Sequence, residues 1–205
     1  MSHVSDVIRS DAPDAIARAT AVLDAGALAV VPTDTLYALA ADALDEDAVL
    51  EVFRAKARAA DQALPVCVGG FEGVQHVAHS TPLARVLAEA FWPGPLTLVL
   101  RAKAWMPDAV TAGGSTIAVR APRNEYARAL AEHFGPFTLT SANRSGGAPA
   151  ADIESARRQL GSSVKLYVDG GALHGTPSTI VDCTGSEARI LREGAIPSAE
   201  VLTRA

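Results

Sequence analysis

The chain has 205 residues, 49% hydrophobic and 20% charged, and 18 Lys+Arg against 23 Asp+Glu give a net charge of −5. This balance excludes a disordered or collagen-like polymer, and it disfavours broad wrapping of nucleic acid, which rests on Lys and Arg neutralising phosphates. Two cysteines, Cys67 and Cys183, permit at most one disulfide and lie near no His at metal-ligand spacing, and no apolar run approaches the roughly 18 residues of a membrane span.

The opening MSHVSDVIRS has no apolar signal core, which points to a cytoplasmic protein. A first helix is predicted from about Pro13 to Ala25, with Ile16, Ala19, Val22 and Leu23 as its apolar stripe and Gly26 as its stop, followed by a buried strand over Ala27–Val31. Asp45 caps a second helix that turns Val49, Leu50, Val52 and Phe53 inward and carries Lys56 and Arg58 near its end; Leu64–Val68 reads as a strand. Thr81-Pro82 opens a third helix ending near Phe91. Further strands are expected at Leu96–Leu100, Thr116–Arg120, Phe137–Thr140, Leu166–Val168, Thr179–Val181 and Arg189–Leu191, with helices near Glu125–Phe134 and Ile153–Leu160. Several late strands lack an intervening helix, so the pattern is an α/β domain with a mixed sheet flanked by helices. No linker divides the chain: one domain is expected over residues 1–205, with a core from about 12 to 197 and no second domain.

Common nucleotide motifs are missing. There is no Gly-Lys pair for a P-loop, no two glycines separated by one residue for a dinucleotide fingerprint, and no Gly-x-Ser-x-Gly elbow. His76 and His79 have the spacing of two ligands on one helix face, yet no carboxylate or cysteine supports them and no metal site is assigned.

Three segments carry chemistry. Pro32-Thr33-Asp34-Thr35-Leu36-Tyr37 follows a strand directly, where α/β sheets bind ligands, although Thr33 or Asp34 could equally cap a helix. Lys56-Ala57-Arg58 places two cations at a helix end, as phosphate ligands or as a complement to the dipole. Thr140-Ser141-Ala142-Asn143-Arg144-Ser145-Gly146-Gly147 offers neutral donors after a strand, or a plain turn. Phe91-Trp92-Pro93-Gly94-Pro95-Leu96-Thr97 reads as a rigid packed corner with a structural role.

In this order the pieces resemble the YrdC-like family of threonylcarbamoyl-AMP synthases, whose pattern reads PTDTVYGL, KGRP, FWPGPLT, a strand ending in Arg-x-Pro, TSANxSG, STIVD and RxG. Here they stand at Pro32–Leu39, Lys56–Ala59, Phe91–Thr97, Val119–Pro122, Thr140–Gly146, Ser178–Asp182 and Arg192–Gly194, so the likeness covers about Ile16 to Ile196. The resemblance implies a single-domain open twisted sheet of the YrdC/RibB-like kind with a concave groove. It implies formation of threonylcarbamoyl-adenylate and pyrophosphate from L-threonine, bicarbonate and ATP, in service of tRNA threonylcarbamoyladenosine.

Carried over by position, Thr35, Arg120 and Ser178 would hold threonine. Lys56, Arg58, Gln62, Thr116, Ser141, Asn143 and Arg192 would hold ATP, with Lys56 and Arg58 as the catalytic cations. Mg²⁺ would arrive with the nucleotide, tRNA contact would be weak or indirect through downstream threonylcarbamoyl-transfer proteins, and no membrane is involved. The chain departs from the pattern where Tyr37-Ala38-Leu39-Ala40-Ala41-Asp42 lacks two glycines, where Gln62 replaces an Asn, and where Cys67 replaces a His. These read as changes of affinity. The alternative is a YciO-like paralogue that binds RNA or a nucleotide with little synthase activity.

Overall fold

The computed structural model describes residues 5–205, so the first four residues of the opening stretch read for a leader lie outside them. Strand β1 (Asp6–Arg9) buries only Ile8 and therefore shows no apolar alternation in the sequence. Helix α1 (Ala15–Asp24) is shorter than predicted and buries Ala15, Ala19 and Leu23, with Gly26 at φ 69 turning the chain away. Strand β2 (Ala29–Val31) is fully buried and leads through Pro32–Tyr37 into β3 (Ala38–Ala40). Ala38 and Ala40 sit in regular strand backbone with no positive φ, so the two methyl groups cause no strain there.

Helix α2 (Glu46–Lys56) begins where Asp45 accepts N–H bonds from Asp47 and Ala48, and it stops at Ala57 in the left-handed region, φ 49. Strand β4 (Val66–Cys67) is followed by a 3₁₀ turn over Phe71–His76 and by β5 (Ala78–His79). The two histidines therefore lie on different elements and not on one helix face. Helix α3 (Pro82–Phe91) is capped by Thr81, and β6 (Leu96–Ala102), α4 (Asp108–Thr111), β7 (Thr116–Arg120) and α5 (Glu125–His133) follow. The strand expected over Phe137–Thr140 is two short strands, β8 (Phe137–Thr138) and β9 (Thr140–Ser141). The chain ends with α6 (Ile153–Leu160), β10 (Leu166–Asp169), β11 (Thr179–Asp182), β12 (Arg189–Arg192) and α7 (Ser198–Arg204).

The strands divide between two mixed sheets, ordered β1-β10-β2-β3-β9 and β12-β11-β6-β7-β4-β8, with β5 beside β6. Helices α1 and α5 cover one apolar cluster against β2, β8 and β10, joined by a bond from the Tyr126 hydroxyl to the Ala15 carbonyl at 3.0 Å. A larger cluster beneath α2, α3 and α6 fills the rest of the interior. Among the described residues no helix is long and apolar enough to cross a membrane.

The sheets are joined at Leu139, between β8 and β9. Beside it the buried Thr138 donates its hydroxyl to the Leu39 carbonyl and accepts the Ala41 N–H, both at 3.0 Å, so one side chain ties the crossing to β3. Replacing Thr138 by the isosteric Val removes both bonds and leaves the buried Ala41 N–H without its acceptor. Thr138→Val is expected to lower the unfolding free energy by about 1–3 kcal/mol, read from urea denaturation.

Candidate active site

A cavity of about 420 Å³ opens where the sheets meet, lined by the turn between β2 and β3, the Ala63–Pro65 stretch, β6, β7, β9, the start of β11, and Arg192 of β12. Its strongest feature is Arg120 at the end of β7, whose side chain is only 5% exposed. Nη2 donates to Asp34 Oδ1 at 2.7 Å, Nη1 to Thr35 Oγ1 at 3.2 Å, and Nε to the Gly94 carbonyl at 3.0 Å. A guanidinium has five N–H groups, so two remain for a ligand.

The hydroxyls beside it have fixed polarity. Thr33 Oγ1 spends its one proton on the Leu36 carbonyl at 2.6 Å, so in the 3.0 Å contact between Thr33 and Thr35 it is Thr35 that donates. Thr35 Oγ1 also receives Arg120, and toward the cavity it is left as an acceptor alone. Thr33 caps this turn by accepting the Thr35 and Leu36 N–H groups, which realises the capping alternative without any helix.

A strap over residues 170–178 closes this wall. Gly175 donates its N–H to the Thr35 carbonyl at 3.0 Å, and a Cβ at Gly175 would lie 2.5 Å from Thr35 Cα, so the strap can run this close only without a side chain. The Tyr37 hydroxyl donates to the Gly171 carbonyl at 2.7 Å and accepts the Gly170 N–H at 2.9 Å, and burial pushes its pKa up to about 12.

On the opposite wall Ser178 Oγ and Thr97 Oγ1 share a hydrogen bond at 2.9 Å. Arg192 Nη2 donates to the Ser178 carbonyl at 2.8 Å and to its hydroxyl at 3.3 Å. Burial, and after it the like charge of Arg120, hold the Arg192 guanidinium below its ordinary value.

The other expected site residues do not line the cavity. Lys56 is buried and donates Nζ to the carbonyls of Ser141, which does line the cavity, at 2.5 Å, and of Asn143 at 2.8 Å. Asn143 donates its amide to the Arg144 and Gly147 carbonyls, both at 2.8 Å, and its buried Oδ1 has no protein partner. Arg58 is half-buried and Gln62 exposed, and they bond each other at 2.6 Å, with Arg58 5.9 Å above the Phe53 ring. Thr116 shares a strand face with Ala118 and Arg120, one step outward. Cys67 is fully buried in β4, and burial raises its thiol pKa well above the ordinary value, so it is no nucleophile. Among the described residues no three His, Cys, Asp or Glu side chains gather as a metal site.

Thr35, Arg120, Ser178, Ser141 and Arg192 thus come together around one cavity. Reading the sequence missed Thr97, because the aromatic and proline content of Phe91–Thr97 accounts for that corner as packing alone. It also missed the Gly94 carbonyl, a backbone acceptor that no side-chain pattern reveals.

Comparison with known proteins gives the same direction. The family model described as "Telomere recombination", Sua5_yciO_yrdC, matches residues 21–194. A Mycobacterium tuberculosis relative is 42% identical over 193 residues, covering 91% of this chain and 88% of that protein. The threonylcarbamoyl-AMP synthase of Bacillus subtilis is 35% identical over 205 residues, covering 97% of this chain and 58% of its own. The structure of Pyrococcus abyssi Sua5 complexed with L-threonine superimposes with a TM-score of 0.88 at 36% identity, over 98% of this chain and 60% of that one.

Burial, with Arg58 acting in the same direction, lowers the Lys56 pKa from 10.5 to about 8. Between those values the unfolded chain holds a proton on Lys56 that the folded protein does not, so the contribution of Lys56 to stability rises with pH across that window. The difference in unfolding free energy between wild type and Lys56→Met is expected to move in favour of wild type from pH 8 to 10.5. A difference that stays flat over this range shows that burial does not suppress the charge.

Proposed function

The chain belongs to the Sua5–YciO–YrdC family, and on that premise we propose that it is a threonylcarbamoyl-AMP synthase, joining L-threonine, bicarbonate and ATP into threonylcarbamoyl-adenylate with release of pyrophosphate. The observation that most supports this reading is a buried arginine with two unspent N–H donors, in a cavity whose other walls carry Arg192 and the Ser141 loop. An amino-acid carboxylate suits the planar fork of Arg120, and a triphosphate suits several cations with hydroxyl and amide donors around it.

The threonine amine captures carbon dioxide with loss of a proton, or bicarbonate with loss of water, as a carbamate. A carbamate oxygen then attacks the α-phosphorus of ATP and expels pyrophosphate, with no covalent enzyme intermediate. Thr35, an acceptor toward the cavity, holds an amine N–H and leaves the nitrogen lone pair free. Lys56 fixes the Ser141–Asn143 backbone from beneath and adds positive charge to the phosphate side; Arg58, Gln62, Thr116 and Arg192 complete that side. Catalysis is then positioning together with neutralisation of charge in the phosphoryl transition state.

The donors around Ser141 are cations, hydroxyls and amides, a set that fits phosphate oxygens and not a cage for a metal ion. Mg²⁺ therefore enters as the counter-ion of the nucleotide, where it screens phosphate charge. The product passes to transfer proteins that carry the group to tRNA in the cytoplasm, and the chain itself contacts RNA weakly.

Pyrophosphate release from ATP is expected to require both L-threonine and bicarbonate and to yield an adenylate of the corresponding mass. Valine, lacking the hydroxyl, should support release at clearly lower efficiency under subsaturating conditions. Release that ignores threonine defeats the proposal.

Arg58 separates the nucleotide-binding role from a plain helix-end charge. As a phosphate ligand it is worth about 1.5–3 kcal/mol, so Arg58→Ala should lower turnover at limiting ATP by about ten- to a hundredfold with nearly unchanged melting temperature. Arg58→Lys should recover part of the loss. Wild-type activity in Arg58→Ala places the nucleotide elsewhere.

A further inference from the structure

The hydrogen-bond inventory of the cavity assigns a role to Thr97. Thr97 and Ser178 are both buried, both line the cavity and bond each other at 2.9 Å. The pair carries two hydroxyl protons but contains only one internal bond. If Ser178 donates, the Thr97 proton is left over; if Thr97 donates, Ser178 accepts from it and from Arg192 and keeps its own proton. Among the described residues neither hydroxyl has a second acceptor, so in both arrangements one O–H and at least one free lone pair remain for a ligand.

The polar positions facing the pair from the opposite wall are one-sided. Arg120 offers donors only, and Thr35 offers an acceptor only, because its proton goes to Thr33. These match a carboxylate and an amine respectively. The Thr97–Ser178 pair both donates and accepts, which is the complement of a hydroxyl group. Ile180 is the residue paired with Thr97 across β6 and β11, and it too lines the cavity, placing an apolar surface beside the pair where a methyl can rest.

We propose that Thr97, through its hydroxyl pair with Ser178, is a specificity-determining residue that reads the β-hydroxyl of the amino-acid substrate. This rests on the synthase reading above. It makes the preference for threonine over valine depend on a residue in the corner that otherwise serves as packing.

Thr97→Val keeps the shape of β6 and removes the hydroxyl. Pyrophosphate release is measured for wild type, Thr97→Val and Thr97→Ser with threonine and with valine, alongside ATP binding as a check on folding. Thr97→Val is expected to raise the KM for threonine about tenfold while that for valine hardly moves, collapsing the preference, and Thr97→Ser is expected to restore it. A Thr97→Val protein that keeps the wild-type preference overturns the inference while leaving the synthase reading standing, and so does a Thr97→Ser protein that loses the preference. A wild-type protein with no threonine-dependent release overturns both.

Discussion

A guanidinium removed from water must have its charge and its N–H groups answered, and the architecture of this protein is arranged around answering those of Arg120. Three acceptors reach it from separate parts of the chain: the Asp34 carboxylate and Thr35 hydroxyl from the turn after β2, and the Gly94 carbonyl from the corner before β6. Each must approach closely. At Gly94 a Cβ would lie 2.3 Å from the Phe91 carbonyl oxygen, so the corner that delivers this acceptor can be closed only by glycine. The buried pair of Arg120 and Asp34 is weak evidence for added stability, because desolvation offsets much of the attraction, but loss of either partner alone would strand a buried charge. Its role is to fix where the remaining two donors point.

The same economy of protons gives the cavity its chemical asymmetry. Thr33 gives its only proton to the Leu36 carbonyl, which leaves Thr35 as the donor between them and so an acceptor toward the cavity, and Arg192 occupies one side of Ser178 with a donor. Hydroxyl groups that look interchangeable in a sequence therefore present different faces to a ligand, each set by a neighbour that never touches it.

Local signals carried much of the fold. Asp45, Thr81 and Asp152 cap α2, α3 and α6 with side-chain bonds formed within three residues, and the strand Thr116–Arg120 has the bounds its β-branched alternation implies. What escaped depends on distant partners. β1 exists by parallel pairing with β10, β3 is only three buried residues, α7 is one short segment at the end, and the division of Phe137–Ser141 between two sheets follows from Thr138 bonding to β3. The site divided the same way. Side chains in ordered motifs, such as Thr35, Arg120 and Ser178, could be placed together from the sequence, whereas the attachment of Lys56 to two backbone carbonyls in the Ser141–Asn143 loop could not, because backbone acceptors leave no trace in residue identity.

A chain of net charge −5 can still hold a polyanion if its cations are concentrated in one partly desolvated place. Arg192 is held below its ordinary value by burial and by Arg120, and Lys56 is lowered to about 8 by burial and by Arg58. Each is thus a partly desolvated cation beside a like charge. In the proposed synthase a phosphate arriving beside Ser141 would offset that repulsion, so it would favour the protonated form of Lys56 and be favoured by it in return. On that reading anion binding and proton uptake are one equilibrium at this site. On that reading the cost of keeping cations buried in the free protein is offset when the negatively charged substrate enters, which ties the tightness of nucleotide binding to the burial of Lys56 and Arg192.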